Sequence, residues 1–413
     1  MSSAHSSLQE AFVQWSSQAR NSGEDFIVAI LQRIFQEASR QQASDVHIQP
    51  ARKGVNIRMR LDGVLHQLGK LPIEKMPQIA SRMKVLAELT TYKTSEPQEG
   101  RIRKGDIPGV DRDIRLCTAP SLYGERISIR FFSEGNKFLL PIELGFTPAI
   151  LKELSVAIQR TNGAILITGP TGNGKTTTAC ALLRALVNMG NSEADVVRSV
   201  ISLEDPVEHA VEDVAQVEVA RDGEMTLDRL IRYLMRQDPD VIMVGEIRDK
   251  PTAEAAFQAA LTGHLLISTF HAGDTAGAIS RLLELGVEPF TIRSSLTNLL
   301  CQRLLRQLCP CAARKVERGS IEILGERYEF RCRYEPVGCP KCSGTGYGGR
   351  MMIAESMPLN SEAMGSAILA RKETAVFKKI GREQGMLSFG AGAIELIESG
   401  KTSPMEIIRV LGS

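Results

Sequence analysis

The stretch AILITGPTGNGKTTTACALLRALV, residues 164–187, decides the fold of the second part of this 413-residue chain. Its apolar start is typical of a buried strand, and the run after Lys175 is typical of a helix. Between them, GPTGNGKT (169–176) matches the pattern G-x-x-x-x-G-K-[ST], in which glycines let backbone N–H groups curl around phosphate oxygens. The alternative, a glycine-rich turn without a ligand, fits this strand–loop–helix context poorly. We therefore predict a nucleotide-binding loop.

The phosphate-loop pattern predicts the roles of two side chains. Lys175 is predicted to reach the β- and γ-phosphates of ATP, and the hydroxyl of Thr176 is predicted to be a Mg²⁺ ligand. The candidate nucleotide-binding residues are Gly169, Pro170, Thr171, Gly172, Asn173, Gly174, Lys175, Thr176 and Thr177.

Other short apolar runs follow the loop and alternate with helical stretches, which predicts an α/β domain with a parallel sheet. In such sheets ligands bind at the carboxyl ends of the strands. The runs SVISL, DVIMV and LLISTF lead into Glu204-Asp205, Glu246 and His271, respectively. We expect Glu246 to activate water, Glu204 and Asp205 to support metal and water, and His271 to contact phosphate. The alternative for each acid is a helix cap.

A second histidine, His264, stands at the opposite end of the apolar run that leads to His271. At about 3.3 Å per residue, a strand between them would separate the two rings by roughly 20 Å. We therefore expect His264 to be a packing histidine at a helix C-terminus rather than part of the site.

Residues before the loop follow a different pattern. Helical spacing covers 24–42 and about 72–89, and alternating strands surround the turn signal Asp62-Gly63. We predict an amino-terminal extension with a helix (1–40), a small α+β domain (41–132), a linker (133–146) and an α/β domain (147–413) that includes a cysteine module (305–350).

Composition excludes some classes of function. The 50 Lys and Arg residues nearly balance 48 Asp and Glu residues, so no global field favours nucleic acid or an acidic membrane surface. No apolar stretch approaches the roughly 20 residues of a membrane span, and MSSAHSSLQEAFVQ does not resemble a signal peptide. We expect a cytoplasmic protein without sequence-specific nucleic-acid binding.

Four segments in order resemble the secretion ATPase superfamily, the motors of type II secretion and type IV pilus systems. GPTGNGKTTT resembles its phosphate loop, ISLEDPVEH its acidic box, RQDPDVIMVGEIRD its second nucleotide motif and ALTGHLLISTFHAGD its histidine box. ASDVHIQP, RLDGVL, EPQEGRI and RLCTAPSLYGERISIR resemble its amino-terminal domain. Asn173 stands where family members often have Ser.

The resemblance implies a RecA-like ATPase domain after a small PAS-like domain, assembled as a homohexamer. It implies that one subunit's first domain supplies arginines to nucleotide held by the second domain, and the matching positions are Arg115 and Arg130. It further implies an ATP-hydrolysing motor at the inner membrane that powers pilus or pseudopilus assembly with a membrane platform protein and, indirectly, pilins or pseudopilins. The alternatives are a retraction motor, a type IV secretion or conjugation motor, and a nucleotide-gated scaffold without hydrolysis.

The cysteines Cys309, Cys311, Cys339 and Cys342 form the pairs CPC and CPKC. GCPKCSGTGYGGR resembles the metal-binding segment of the assembly branch, and four thiolates complete a closed structural zinc site. The first pair is one residue shorter than the family's usual C-x-x-C. Cys332 as a substitute ligand, or unligated thiols, are therefore the alternatives.

Overall fold

The chain forms two compact units in this computed structural model. The first unit comprises residues 1–135, 306–313 and 335–349, and the second comprises 136–305, 314–334 and 350–413. The structure describes residues 8–21, 25–132, 140–189, 197–219 and 225–412. Half of the predicted linker, residues 133–139, therefore lies outside the described residues.

An antiparallel sheet of six strands is the centre of the first unit. The helices are α1 Leu8–Asn21, α2 Phe26–Arg40 and α3 Met76–Leu86. The strands are β1 Asp45–Ala51, β2 Gly54–Leu61, β3 Val64–Leu71, β4 Gln98–Ile102, β5 Ile114–Ser121 and β6 Gly124–Phe131. Their order across the sheet is β3-β2-β1-β6-β5-β4.

Alternation of apolar and polar residues gives this sheet one buried face, as the sequence predicts. Asp62 and Gly63 have φ values of 46° and 82° and form the predicted turn between β2 and β3. The amino-terminal helices differ from the expected extension, because α1 and α2 place Phe12 and Ile30 in the core of this unit. The apolar stripes of both helices require a surface to cover, and the buried face of the sheet provides it.

The second unit contains ten α-helices within the described residues. They are α4 Pro148–Ile158, α5 Lys175–Met189, α6 Leu227–Leu234, α7 Lys250–Leu261, α8 Thr275–Glu284, α9 Pro289–Ser295, α10 Glu362–Leu369, α11 Thr374–Glu383, α12 Phe389–Glu398 and α13 Pro404–Leu411.

A sheet of seven strands is the centre of the second unit. The strands after β6 are β7 Gly163–Thr168, β8 Val200–Glu204, β9 Ala215–Glu218, β10 Val241–Val244, β11 Leu265–Phe270, β12 Leu296–Leu308, β13 Ala313–Lys315, β14 Gly319–Ile323, β15 Glu326–Phe330, β16 Arg333–Glu335 and β17 Tyr347–Met357. The sheet order is β17-β12-β7-β11-β10-β8-β9, and the pairs from β12 to β9 are parallel.

Both faces of the strands β7, β8, β10 and β11 are buried. On β7, Ala164 and Leu166 belong to one apolar cluster, whereas Ile165 and Ile167 belong to another on the opposite face. Helices cover both faces, so these strands are continuous apolar runs without alternation. The prediction of an α/β domain with a parallel sheet is confirmed.

The cysteine segment is divided between the units, in contrast to the expected single module of 305–350 in the second domain. Residues 306–313 and 335–349 join the first unit. There, Gln41 donates a hydrogen bond to the Ser343 hydroxyl, and the Gly349 N–H donates to the Asp62 carboxylate at 2.9 Å. The β14–β15 hairpin instead places Phe330 in a cluster with helices of the second unit.

No helix among the described residues combines the length and the apolar composition that a membrane crossing requires.

A buried ion pair in the first unit provides a test of this fold. Lys84 is fully buried, and its Nζ lies 2.5 Å from Glu125 Oε1 and donates to the Lys93 carbonyl at 2.6 Å. Because removal of one partner leaves a buried charge unpaired, we expect Lys84→Met to lower the free energy of unfolding of this unit by about 3 kcal/mol.

The chain's single tryptophan makes the measurement specific, because Trp15 packs against the core of the first unit. Its fluorescence during urea unfolding reports this unit. The control is Lys93→Met, which breaks an exposed pair with Glu96 and should change stability by less than about 0.5 kcal/mol. Equal effects of the two substitutions would contradict the importance of the buried pair.

Candidate active site

The phosphate loop joins β7 to α5, as the sequence predicts. Three of its glycines have left-handed backbone conformations, with φ values of 144° for Gly169 and 76° for both Gly172 and Gly174. A β-carbon on Gly169 would lie 2.5 Å from the Gln302 carbonyl oxygen of the adjacent β12. Glycine is therefore required both by conformation and by the close approach of a neighbouring strand.

Lys175, the first residue of α5, has an exposed fraction of only 8%. Its ammonium donates to the carbonyls of Gly169 at 2.9 Å and Pro170 at 3.2 Å, and Nζ lies 3.5 Å from His271 Nδ1. Burial lowers the pKa of Lys175, and the nearby Glu246 carboxylate opposes this shift. The lysine thus lies at the helix N-terminus, where both its charge and the helix dipole attract anions.

The Asn173 side chain holds the tip of the loop. Its Nδ2 donates to the carbonyls of Pro170 and Thr171 at 3.3 and 3.4 Å, and its Oδ1 accepts from the Leu304 N–H at 2.9 Å. Gln302 Nε2 donates to the Asn173 carbonyl at 2.8 Å. The loop is therefore attached to β12, a contact that the local sequence pattern does not indicate.

His271 and Glu246 follow the neighbouring strands β11 and β10, and their side chains contact each other through His271 Nε2 and Glu246 Oε1. On its other oxygen, Glu246 accepts a hydrogen bond from Arg248 Nε at 2.6 Å. Arg248 also lies 3.6 Å from the Asp205 carboxylate, and its hydrogen bond to Glu246 raises the pKa of the guanidinium. The structure thus connects Lys175, His271 and Glu246 through direct contacts.

Arg248 is a residue of this network that the sequence analysis does not select, although it lies within the quoted motif GEIRD. Its position two residues after Glu246 is the only local signal, and a basic residue beside an acidic one is common on protein surfaces. The structure shows that it bridges Glu246 and Asp205.

Glu204 has different surroundings. Its carboxylate is buried at the end of β8 and accepts hydrogen bonds from the Ser202 hydroxyl at 2.8 Å and Gln216 Nε2 at 2.9 Å. Because Glu246 is more exposed and contacts His271, the two acids are not equivalent.

His264 precedes β11 and contacts the preceding helix. Its Nδ1 donates to the Ala259 carbonyl at 3.0 Å and lies 3.4 Å from the Thr262 hydroxyl. This ring therefore satisfies a carbonyl at the C-terminus of α7, at the opposite end of β11 from His271.

The arginines Arg115 and Arg130 lie in the first unit, directly opposite each other on β5 and β6. Arg115 pairs with Glu99 at 2.5 Å, and Arg130 pairs with Asp45 at 3.2 Å. The cross-strand register continues this row to Arg101 on β4. The polar face of the sheet thus presents a row of guanidinium groups, of which the sequence analysis selects two.

The thiols of Cys309, Cys311, Cys339 and Cys342 lie within 4.8 Å of one another. The distances are 3.7 Å between Cys309 and Cys339, 4.0 Å between Cys311 and Cys342, and 3.7 Å between Cys339 and Cys342. With Zn–S bonds of about 2.3 Å, a tetrahedral site has an S–S edge of about 3.8 Å. The four thiols therefore have the spacing of a zinc site.

Backbone N–H groups support this cluster, since Cys339 and Gly346 donate to the Cys342 sulfur at 3.1 and 3.2 Å. A backbone hydrogen bond from Cys342 lowers the pKa of Cys339 to about 7, whereas burial raises the pKa of Cys309 to about 12. Cys332 is not part of the cluster, because its thiol donates to the Glu398 carbonyl at 3.5 Å.

Comparison with known proteins shows the relationship. Residues 20–409 match the family described as "Type II/IV secretion system protein". The type II secretion system protein E of Aeromonas hydrophila is 38% identical over 387 residues, which cover 93% of this chain and 75% of that protein. The type IV pilus assembly ATPase PilB of Thermus thermophilus is 36% identical over 388 residues, 92% of this chain but only 42% of the relative.

The solved structures show the same fold. The Legionella pneumophila ATPase DotB aligns with a TM-score of 0.65 at 21% identity, covering 91% of this chain and 94% of that structure. The match over residues 20–409 and the relatives that are 36% and 38% identical over more than nine-tenths of the chain show that the chain belongs to the type II/IV secretion system protein family.

Proposed function

We propose that this chain is an ATP-hydrolysing motor that works as a hexamer at the cytoplasmic face of the inner membrane and powers assembly of a type IV pilus or a type II secretion pseudopilus. The main support for ATP hydrolysis is that His271 contacts both Lys175 and Glu246 beside a glycine-rich loop at a helix N-terminus. The names of the relatives support the assembly part.

Each group in the site would have one task. Lys175 and the loop N–H groups would bind the phosphates, and the Thr176 hydroxyl would hold Mg²⁺, which neutralises phosphate charge when bound. His271 would stabilise charge on the transferred phosphoryl group. Glu246 would orient and deprotonate water: each carboxylate oxygen has two acceptor positions, and the contacts to His271 and Arg248 use one on each.

The assembled ring would add groups from a second copy. We propose that Arg115 and Arg130 of a neighbouring subunit contact the nucleotide, so that phosphate charge replaces their pairing with Glu99 and Asp45. The Arg115–Glu99 pair is exposed and contributes little free energy, so its exchange costs little. Asp45 is buried, and without Arg130 its carboxylate would keep the Ser44 hydroxyl at 2.9 Å and the Arg60 guanidinium at 3.5 Å as partners. The partners outside the ring would be a membrane platform protein and, indirectly, pilins or pseudopilins.

Glu246→Gln separates binding from hydrolysis. The amide keeps the shape of the side chain but removes the base, so we expect steady-state ATPase activity to fall by about 100-fold or more while ATP affinity stays within about threefold. The control is Glu254→Gln on α7, an exposed acid paired with Lys250, which should keep normal activity. Near-normal turnover by folded, assembled Glu246→Gln would exclude this assignment. A wild-type chain that binds ATP without turnover would instead indicate a nucleotide-gated scaffold.

His271→Ala and His264→Ala compare the two ends of one strand. The first removes the contacts to Glu246 and Lys175, and we expect turnover to fall at least about tenfold with a modest loss of thermal stability. The second removes a hydrogen bond to the Ala259 carbonyl, and we expect a loss of about 1 kcal/mol in stability with nearly normal turnover. Activity and melting temperature, measured at equal folded concentration, test this. The reverse pattern would contradict the assignment.

The thiol cluster is proposed to hold one structural Zn²⁺ through Cys309, Cys311, Cys339 and Cys342. Elemental analysis of the purified chain should find about one zinc per chain, and Cys311→Ser should lower that content because a closed site needs all four thiolates. Cys332→Ser is the matched control and should retain the metal. Metal-free wild type with these thiols freely titratable in the native state would contradict the proposal.

A further inference from the structure

Two consecutive residues of β12, Gln302 and Arg303, contact the two loops of the candidate site. Neighbouring residues on a strand point to opposite faces of the sheet, so Gln302 and Arg303 reach different elements. The fully buried Gln302 accepts from the Thr178 hydroxyl at 3.0 Å and donates to the Asn173 carbonyl at 2.8 Å. Gln302 is therefore attached to the phosphate loop and the helix that follows it.

Arg303 reaches the loop that carries His271. Its Nη2 donates to the Gly273 carbonyl, and its Nη1 donates to the Gln302 carbonyl at 3.0 Å and to the Cys301 sulfur at 3.4 Å. The guanidinium lies 5.4 Å from the Phe389 ring, and the exposed fraction of the residue is 8%. Carbonyl and thiol groups, rather than a carboxylate, accept these bonds, so the planar guanidinium serves as a rigid donor in several directions.

The far end of the same loop has a second anchor. The buried Glu355 carboxylate on β17 accepts from both the N–H and the hydroxyl of Thr275, at 2.9 and 2.6 Å. The loop from His271 to Asp274 is thus fixed at Gly273 by Arg303 and immediately after Asp274 by Glu355. Because β11 ends at Phe270 and both anchors follow His271, the backbone is held before and after this residue, and the ring itself contacts Glu246 and Lys175.

We propose that Arg303, with Glu355, is a positioning residue for hydrolysis: the two side chains fix the 271–275 loop and so hold the His271 ring against Glu246 and Lys175. This inference rests on the proposed function and adds residues that touch neither the phosphates nor Glu246. The two neighbouring residues of β12 should therefore have different effects. Arg303 affects turnover through His271, and Gln302 affects nucleotide affinity through the phosphate loop.

Arg198 supplies a matched control for Arg303. Like Arg303, it donates to backbone carbonyls rather than to a carboxylate, namely those of Ile158 at 2.8 Å, Gln159 at 2.8 Å and Arg160 at 3.0 Å. It lies before β8, at the amino ends of the parallel strands, away from the candidate site. Arg198→Lys therefore removes hydrogen bonds of the same kind without affecting His271.

Hydrogen–deuterium exchange of the full chain tests the anchoring without reference to activity. In Arg303→Lys, amides of residues 272–277 should exchange at least about fivefold faster, because a lysine cannot reproduce the fork of donors. Arg198→Lys should leave these amides unchanged. Thr275→Val, which removes one hydrogen bond to Glu355, should also speed exchange of these amides. It replaces Arg303→Lys in the experiment if that variant folds poorly. Unchanged exchange in both loop variants would overturn the proposal.

A double-mutant cycle with His271→Ala tests the link to catalysis. We expect Arg303→Lys to lower kcat about fivefold with ADP affinity within about twofold, whereas Gln302→Leu should weaken ADP binding more than it lowers kcat. In the His271→Ala background, Arg303→Lys should cost less than about twofold. An equal loss in both backgrounds would overturn the proposal while the proposed function stands. Wild-type protein without ATP turnover would instead refute the proposed function. The hydrogen–deuterium exchange measurement would still show whether Arg303 and Glu355 fix the 271–275 loop.

Discussion

The contact between Glu246 and His271 depends on the parallel pairing of β10 with β11. Val244 pairs with Ser268, so both strands end at the same edge of the sheet, and residues 246 and 271 leave it side by side. On the other side of β11, Thr168 of β7 pairs with Phe270, which places the start of the phosphate loop beside His271. A central strand between the loop and the acid therefore makes the histidine the link between them.

This geometry explains which parts of the site could be predicted from the sequence. A residue that ends a buried strand can be recognised from its own neighbours in the chain, so Glu204, Glu246 and His271 stand out. Gln302 and Arg303 lie in the interior of a strand, and their importance depends on β12 being next to β7 rather than elsewhere in the sheet. Local patterns do not determine strand order, so the sequence alone does not single out these two side chains. Arg248 was missed for a related reason, since its value comes from reaching Asp205 on another strand end.

In the cysteine cluster, the departure from the family's usual spacing does not keep the four thiols apart. The pair Cys309-x-Cys311 is one residue short of a C-x-x-C turn, which made Cys332 a reasonable alternative ligand. A tetrahedral site requires four sulfurs at about 3.8 Å separation and places no condition on the number of intervening residues. Here Cys309 approaches Cys339 and Cys311 approaches Cys342, so the shorter pair faces the complete CPKC turn with both thiols. Cys332, two residues after the end of β15, instead donates to the Glu398 carbonyl at the end of α12.

The phosphate loop shows how a second departure, Asn173, fits the same chemistry. The contacts that hold the loop are made mostly through its carbonyl oxygens: Lys175 binds those of Gly169 and Pro170, Asn173 Nδ2 binds those of Pro170 and Thr171, and Gln302 binds that of Asn173. Carbonyls directed into the protein turn the opposite ends of the peptide units, the N–H groups, toward an anion. A serine hydroxyl is shorter and has one proton, whereas the amide of Asn173 donates to the loop and accepts from the Leu304 N–H of β12 at once. The substitution therefore adds an attachment to the strand that also positions the histidine loop, and it does so without occupying a phosphate-binding N–H.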